Sequence, residues 1–394
     1  MKTLPDNAHL RHLRQQAKEL LAGLRDVDPT ATLADAQATL AGQYGFRTWP
    51  ELKAEVDRMH GRADTTDPAL AQVIADRFGL GTVAGPMRSL ARPDAIGRRW
   101  SITTDRGRFT VRTMDTWLPI VDADTDFALQ QAAAAAGVLL PGPIRGRDGE
   151  VVESIGGHRW RAYQHLPAGP PLAAPVSAAV AGAVGDVLAT LHGLALPVDR
   201  VSPWHAKRLG PASWAGLAAT ATARQVPWAG QLAAAVPALE DLAAIGRDVP
   251  VPGAVLTHNT LGPAQARLAP DGRLVVVGWE HAGGQPPAWE VANALLDWAV
   301  APHGRVDTVD TVDTVGARAL VDGYRRRAGG VPTLCLADFR GAATGLGNYA
   351  SEQIEAALAA GTTDERRYAD RSVRHLLTQL PTRTTLERLL DAVT

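Results

Sequence analysis

The chain has 394 residues, of which 46% are hydrophobic and 21% charged, and its formal net charge is −1. A chain of this length is too long for one compact core, which predicts two or three domains. The near-zero net charge argues against a nucleic-acid partner or a polybasic contact with a membrane. One cysteine, Cys335, excludes an internal disulfide, and the N-terminus lacks an apolar signal segment, so we expect a cytoplasmic protein.

Residues 1–62 are predicted to form a separate helical module. Leu10, Leu13 and Ala17 begin a series of apolar residues at steps of three and four, which is typical of an amphipathic helix. Thr48 and Glu51 have the spacing of a capping box, which predicts the start of another helix. The polar run 61–67 predicts a linker. Residues 1–60 are therefore the candidate surface for a protein partner.

Residues 67–168 are predicted to form a small sheet with one helix. Apolar and polar residues alternate over 100–104 and 108–113 around Asp105 and Gly107, which favours a β-hairpin. Two further strands are predicted at 151–155 and 158–164. An alanine-rich helix is predicted at 126–136, ended by Gly137.

Residues 169–394 are predicted to be mainly helical. The apolar periodicity indicates the helices 176–194, 212–224, 229–245, 288–300, 316–328, 336–360 and 365–377. A triplet repeat at 306–314 is too short for a solenoid, and we interpret it as a surface insertion without chemistry.

A polar loop between two apolar strands is the most informative part of this region. The first strand leads into Thr257 and His258, the loop runs to Gln265, and the second strand ends at Glu280. Phosphoryl transfer needs a carboxylate that orients the attacking hydroxyl and oxygen ligands that hold magnesium. The layout of strand, loop and acid is typical of such a centre, although Thr260 and Gly278 stand where carboxylates are expected.

The loop, together with the segments 191–197 and 286–292, resembles the aminoglycoside phosphotransferase and choline-kinase-like branch of the protein-kinase-like fold. The resemblance covers about residues 67–394. It implies an α+β, bilobal fold with a small β-rich lobe at 67–168 and a mainly helical lobe at 169–394, to which residues 1–62 are added as a helical domain. Residues 1–60 resemble a helical module found in front of ankyrin-repeat proteins, which implies no chemistry.

The resemblance also implies roles for individual positions. Arg112 stands where the family has the lysine that grips the nucleotide phosphates, and Asp126 stands for the glutamate that pairs with that lysine. In the loop His258 is kept, Thr260 replaces the catalytic aspartate, and Gln265 replaces the metal-binding asparagine. Arginine binds phosphate with a different geometry from lysine, and threonine is no base at neutral pH.

The second strand lacks the family's metal-binding aspartate. Gly278 stands at that position, so Gln265 and Glu280 are the candidate magnesium ligands. Glu280 and His281 are also a candidate acid–base pair beside His258, with an ordinary surface pair as the alternative. His165, in the hinge run 163–167, is either a solvent-facing residue or an adenine contact.

His258 and Glu290 have a simpler structural interpretation. His258 could orient the loop backbone, and Glu290, at the start of a predicted helix, could stabilise the helix dipole and brace the loop. We favour this bracing role for both residues.

Three functions remain open from the sequence. The first is a pseudokinase that binds a small molecule between its lobes, or a regulatory protein, without ordinary phosphotransfer. The second is an active phosphotransferase with a rebuilt site, for which ATP and Mg²⁺ would be the cofactors. The third is a site reused for non-phosphoryl acid–base chemistry. The altered carboxylate positions favour the first, and the aromatic, acid-poor stretch 200–250 argues against a polycationic aminoglycoside.

Overall fold

The computed structural model describes residues 8–27, 29–46, 48–59, 66, 68–90, 96–210, 213–300, 312–361 and 363–393. The chain divides into two compact units, the first formed by Met1–Leu118, Ile144–His165 and Ala359–Ser372, the second by Pro119–Pro143, Leu166–Leu358 and Val373–Thr394. Nearly all of the predicted linker at 61–67 and most of the triplet repeat at 306–314 lie outside the described residues.

The helices, in chain order, are α1 Leu10–Val27, α2 Leu33–Gln43, α3 Trp49–Met59, α4 Pro68–Phe78, α5 Ala123–Ala135, α6 Ala178–Gly193, α7 Pro203–Ala206, α8 Trp214–Ala223, α9 Ala229–Ala244, α10 Pro287–Ala299, α11 Thr314–Ala328, α12 Arg340–Ala359, α13 Thr363–Thr378 and α14 Arg383–Val393. The strands are β1 Arg88–Ser89, β2 Arg99–Thr104, β3 Gly107–Thr113, β4 Pro143–Ile144, β5 Glu153–Ile155, β6 His158–Gln164, β7 Val255–Thr257, β8 Ala266–Leu268, β9 Leu274–Val276 and β10 Gly283–Gln285. Within the described ranges, no helix combines the length and apolarity that crossing a bilayer requires.

Helices α1 to α3 enclose an apolar cluster of their own. Its buried members include Leu13, Leu40, Leu52 and Val56. A capping box begins α2, because the Thr32 hydroxyl accepts from the backbone N–H of Asp35 while the Asp35 carboxylate accepts from that of Thr32. The predicted Thr48 cap is confirmed by its hydrogen bond from the Glu51 N–H, at 3.3 Å.

The first part of α13 belongs to the same unit and contacts α2. Arg367 forms an ion pair with Asp35, and the Arg371 guanidinium donates to the carbonyl oxygen of Ala38 at 3.4 Å. Gly42 leaves room for that guanidinium, since a Cβ at this position would collide with it. The absence of a side chain on α2 thus allows the close approach of α13.

The sheet of the first unit has the strand order β1-β2-β3-β6-β4, with β5 also paired to β6. The predicted hairpin around Asp105 and Gly107 is confirmed as the antiparallel pair β2–β3. Apolar residues of one sheet face, Ile102, Val111 and Trp160, pack against α4. Alternate residues of β3 and β6 therefore point to the opposite face.

The second unit is built around the packing of α6 on α11. Two glycines bring their backbones together: a Cβ on Gly185 would lie 1.9 Å from the Leu320 carbonyl oxygen, and one on Gly323 would lie 2.0 Å from that of Gly182. The core continues into α10 and α14 through Leu295 and Leu389. The two-stranded sheets β7–β10 and β8–β9 carry the polar loop between them.

We expect a chain that begins at residue 66 to remain folded. Helices α1 to α3 bury their own apolar residues, and the ion pair to α13 is partly exposed, so that it contributes at most about 1 kcal/mol. Circular dichroism should show a cooperative thermal transition lowered by only about 2–4 °C. Asp35→Ala in the full chain is the matched control. Aggregation of the shortened chain would show that the helical module completes the core of this unit.

Candidate functional site

The polar loop begins where β7 ends and has an unusual backbone. Asn259 has a φ of 70°, in the left-handed region that non-glycine residues seldom occupy. The loop turns back through a hydrogen bond from the Gly262 N–H to the Thr260 carbonyl, at 2.7 Å, and through a 3-10 turn over Pro263–Gln265. The Leu261 carbonyl accepts from the Trp298 indole at 2.9 Å. These bonds fix the path of the loop.

Glu290, in the first turn of α10, holds the start of the loop. Its carboxylate is 2% exposed. One oxygen accepts from the Asn259 N–H at 3.0 Å, and the other accepts from the Thr257 hydroxyl at 2.6 Å and lies 2.7 Å from His192 Nε2. The other ring nitrogen of His192 lies 2.9 Å from the Tyr324 hydroxyl. The network therefore ties the loop to α6, α10 and α11.

The ionisation of Glu290 follows from these partners. Burial alone would raise its pKa, but the hydrogen bonds from His192 and Thr257 and the charge of His192 hold the pKa below its ordinary value of 4.5. Glu290 is thus an ionised, fully engaged carboxylate. This arrangement supports the bracing role.

His258 is also engaged on both ring nitrogens. Nε2 donates to the Val277 carbonyl at 3.0 Å, and Nδ1 accepts from the Thr260 N–H at 3.4 Å. The ring lies edge-on to Trp279, with centroids 4.8 Å apart. Burial lowers the pKa of His258, so the imidazole is neutral. Because neither nitrogen is open to a ligand, the geometry supports loop bracing by His258 over acid–base catalysis.

His205, on α7, joins the same loop to α12. It is 4% exposed, and its ring nitrogens lie 3.1 Å from the Gly341 carbonyl oxygen and 3.2 Å from that of Asn259. Burial lowers the pKa of His205 despite these carbonyl contacts. Sequence reasoning missed this residue, since nothing in the chain pattern relates α7 to the loop.

The side chain of Gln265 lies beside Gly278, the position at which the resemblance implies a metal-binding carboxylate. Gly278 has φ 83° and ψ 31°, which is a left-handed conformation, and a Cβ there would lie 2.9 Å from Cγ of Gln265. The Gln265 side chain thus lies against the glycine, in the space where a carboxylate side chain would begin. Both the backbone conformation and this contact oppose a side chain at residue 278.

Other predicted site residues surround the loop. Glu280 and His281 lie in a 3-10 turn over Trp279–His281; Glu280 is 6% exposed and His281 is half-buried. The His281 carbonyl accepts from the Asn259 side chain at 3.1 Å. The Thr260 hydroxyl is buried and has no hydrogen-bond partner among the described residues. In the same parts of the chain, no three His, Cys, Asp or Glu side chains are grouped so that they could hold a metal ion.

Asp297, on α10, is an acid near the loop that sequence reasoning missed. It accepts a hydrogen bond from the Asn293 amide at 3.3 Å, and its carboxylate lies 3.3 Å from where a Cβ of Gly262 would be. The surrounding protein desolvates this side chain and raises its pKa to about 7. The residue itself remains exposed to solvent.

The first unit carries the predicted phosphate-binding residue in a row of arginines. Arg112 on β3 pairs directly with Arg99 on β2 and with Arg161 on β6, and directly paired residues share a sheet face. Arg112 is 5% and Arg161 is 1% exposed, and the Arg161 guanidinium lies over the rings of Trp117 and Tyr163. Sequence reasoning identified only Arg112, because the register becomes known only from the pairing.

The two remaining nucleotide-binding candidates lie in different units. Asp126 is buried on α5 of the second unit and accepts from the Gln130 amide at 2.7 Å. His165 is half-buried in the first unit, and its backbone N–H donates to the Arg108 carbonyl at 3.2 Å. Burial and the nearby charge of Arg108 lower the pKa of His165. The roles of both residues remain predictions.

Comparisons with known proteins agree with the family resemblance. Residues 89–329 match the model of the phosphotransferase enzyme family, APH. A homoserine kinase of Granulibacter bethesdensis is 27% identical over 237 residues, 60% of this chain and 71% of that protein. The spectinomycin phosphotransferase structure with ADP and spectinomycin has a TM-score of 0.56 at 11% identity, covering 83% of this chain and 98% of the other. An aminoglycoside phosphotransferase of Alicyclobacillus acidocaldarius has a TM-score of 0.51 at 13% identity, covering 78% and 93%. These structural likenesses concern the fold, and they confirm the predicted α+β, kinase-like fold class with its added N-terminal helices.

Replacing the central carboxylate should destabilise the second unit. In Glu290→Gln one carboxylate oxygen becomes an NH₂ group, which cannot accept a hydrogen bond from the donors that this oxygen faces. We therefore expect the free energy of unfolding to fall by about 3 kcal/mol. Urea denaturation measures this change. Glu355→Gln, on the exposed face of α12, is the matched control and should change the value by less than about 0.5 kcal/mol. Equal stabilities of the two variants would contradict the bracing role.

The buried histidines predict a pH dependence of stability. The folded-state pKa values of His205 and His258 lie below the ordinary 6.5, so the unfolded chain binds more protons just below that pH. Their contribution is complete above pH 6.5 and is lost as the pH falls towards the folded-state values. The urea midpoint should be lower at pH 5.5 than at 7.5, and His205→Gln should reduce this difference. The exposed His12→Gln should leave the difference unchanged, and an equal effect of both variants would refute the assignment.

Proposed function

Because the chain belongs to the phosphotransferase enzyme family, we propose that it is a pseudokinase-type protein, which binds a small molecule without ordinary magnesium-dependent phosphotransfer. One observation carries the proposal. Gly278 has no side chain where the family's metal carboxylate is expected, and Gln265 lies in the adjacent space. A magnesium ion would therefore lack a carboxylate at that position.

The chemistry of phosphoryl transfer supports this proposal. Most of the catalysis comes from positioning and from charge stabilisation around the phosphoryl group. Thr260 offers a hydroxyl where the family has a carboxylate, and a neutral hydroxyl neither removes a proton at pH 7 nor compensates charge. Two separate elements of catalysis are weakened at once.

The ordered loop scaffold supports a binding role. Glu290 and His258 keep the loop in one conformation through hydrogen bonds of 2.6 to 3.4 Å. An ordered loop presents its backbone and side chains to a ligand in one arrangement, and this lowers the ordering cost of binding.

The arginine row supports an anionic ligand. Arg112 and Arg161 are adjacent on one sheet face, and guanidinium groups bind phosphate or carboxylate through paired hydrogen bonds. We therefore propose that the arginine row of the first unit binds an acidic group without help from magnesium.

The second candidate is an active phosphotransferase with a rebuilt metal site. The observation that favours it is the position of Glu280, a nearly buried acid two residues after Gly278. In this case Glu280 and Gln265 would bind magnesium, and Asp297 is a further acid beside the loop. Non-phosphoryl acid–base chemistry has less support, since both ring nitrogens of His258 are engaged.

Calorimetry with ATP, with and without Mg²⁺, and a coupled assay of ATP turnover separate these candidates. For the wild type we expect weak nucleotide binding that Mg²⁺ does not strengthen, and no turnover. The variant Thr260→Asp/Gln265→Asn/Gly278→Asp supplies both carboxylates and places at residue 265 the asparagine that the family has there. We expect this variant to gain Mg²⁺-dependent affinity or slow ATP hydrolysis.

The strain at residue 278 needs its own control. An aspartate in the left-handed region costs about 1–2 kcal/mol, so Gly278→Asp should lower the melting temperature. Gly272 has a similar φ of 84° with no atom within 4 Å of its Cβ position, and Gly272→Asp reports the backbone cost alone. Mg²⁺-dependent turnover by the wild type would overturn the proposal in favour of the rebuilt site.

A further inference from the structure

The second unit contains a cavity of about 580 Å³. It lies between the segment that follows α7, the start of α8, the end of α9 and the first half of α12. The residues of the polar loop and of its acidic turn, including Thr260, Gln265 and Glu280, do not line it. The cavity is thus a separate place from the site described above.

Positive charge dominates the cavity wall. The charged residues that line it are Lys207, Arg208, Arg247, Arg340 and a single acid, Glu240. Within the described part of the chain, none of the four cations forms an ion pair with a carboxylate.

The partners of three of these cations are neutral oxygens. Arg340 donates to the carbonyls of Gly246 and Val249, Arg247 donates to that of Ala243, and Arg208 donates to the Ser351 hydroxyl. Neutral acceptors leave the net charge of the wall uncompensated, and an anion would restore the balance.

Two buried donors in the wall lack acceptors. The Arg208 guanidinium stacks on the Trp214 ring, 3.7 Å from its centroid, and Trp214 is 3% exposed. Neither Nε of Arg208 nor Nε1 of Trp214 has a hydrogen-bond partner among the described residues. Burial lowers the pKa of Arg208, which reflects the cost of holding this charge away from water. A buried donor without an acceptor has lost its hydrogen bond to water without gaining another, and the oxygen of an anion would supply one.

The rest of the wall is apolar. Leu239, Leu242, Ile245 and Leu346 line the cavity together with the Trp214 ring. The volume lies in the range of about 300–1,000 Å³ that is usual for small-molecule sites, in which an apolar wall holds the body of a ligand and a few polar groups orient it.

We propose that this cavity binds a small organic anion, in which a carboxylate or phosphate head is attached to an apolar body. The head lies against Lys207, Arg208 and Arg247, and the body lies along the leucines and Ile245. The site is additional to the small-molecule site proposed at the polar loop, and it does not depend on whether that loop transfers phosphate.

Calorimetric titration of the full chain tests this site with four probes: octanoate, octyl phosphate, octylammonium and 1-octanol, each below its micelle concentration. We expect at least one anionic probe to bind at least tenfold more tightly than octylammonium and 1-octanol. The anion that binds more tightly shows whether the site prefers a carboxylate or a phosphate head group.

Charge-reversal variants locate the binding. Lys207 and Arg247 are exposed, so Lys207→Glu/Arg247→Glu should fold and should weaken the anion at least tenfold. Arg224→Glu/Arg326→Glu changes the net charge equally at exposed positions outside the cavity and should change the affinity less than twofold. Trp214→Phe keeps an aromatic ring at this position but removes the indole N–H, and it should weaken anion binding severalfold. Equal losses in both double variants, or no binding of either anion, would overturn the proposal.

Discussion

The buried carboxylate of Glu290 is the constraint on which the geometry of the loop depends. An ionised group at 2% exposure is tolerated only when its oxygens accept well-formed hydrogen bonds. Here the donors are the Thr257 hydroxyl, the Asn259 N–H and His192. Since one of these donors belongs to the loop backbone, satisfying the carboxylate also fixes the path of the chain. The left-handed conformation of Asn259 is compatible with this requirement, because asparagine tolerates positive φ better than most residues.

The same constraint explains how the loop is ordered without help from the side chains of Thr260 and Gln265. The backbone N–H of Thr260 is held by His258, so this bond places no demand on the side chain. Gln265 and Gly278 contact one another and lie outside the Glu290 network. Glycine at 278 also suits the turn, whose φ of 83° any other residue would adopt at a cost. The hydrogen bonds that order this loop therefore do not involve the side chains of Thr260 and Gln265.

The sequence was sufficient for the larger elements and for the loop, but not for contacts that depend on three-dimensional packing. The hairpin β2–β3 and the helices α6, α10 and α11 follow from periodicity and turn residues. Helix α4 was missed although Ala71, Ile74, Ala75 and Phe78 have helical spacing. Helix α14 was also missed, although Leu386, Leu389 and Ala392 have helical spacing. The arginine row, the contact of Gln265 with Gly278 and the cavity join residues distant in sequence, so only strand register and packing reveal them.

His205 connects the loop to the part of α12 that lines the cavity. Its ring lies between the carbonyls of Asn259 and Gly341, and the neighbours of Gly341 that line the cavity are Arg340, Ala343 and Thr344. A Cβ on Gly345 would come within 3.1 Å of the His205 ring, so α12 has little freedom to move without moving this histidine. Packed helices have few alternative arrangements, and His205 thus fills the space between the loop and α12.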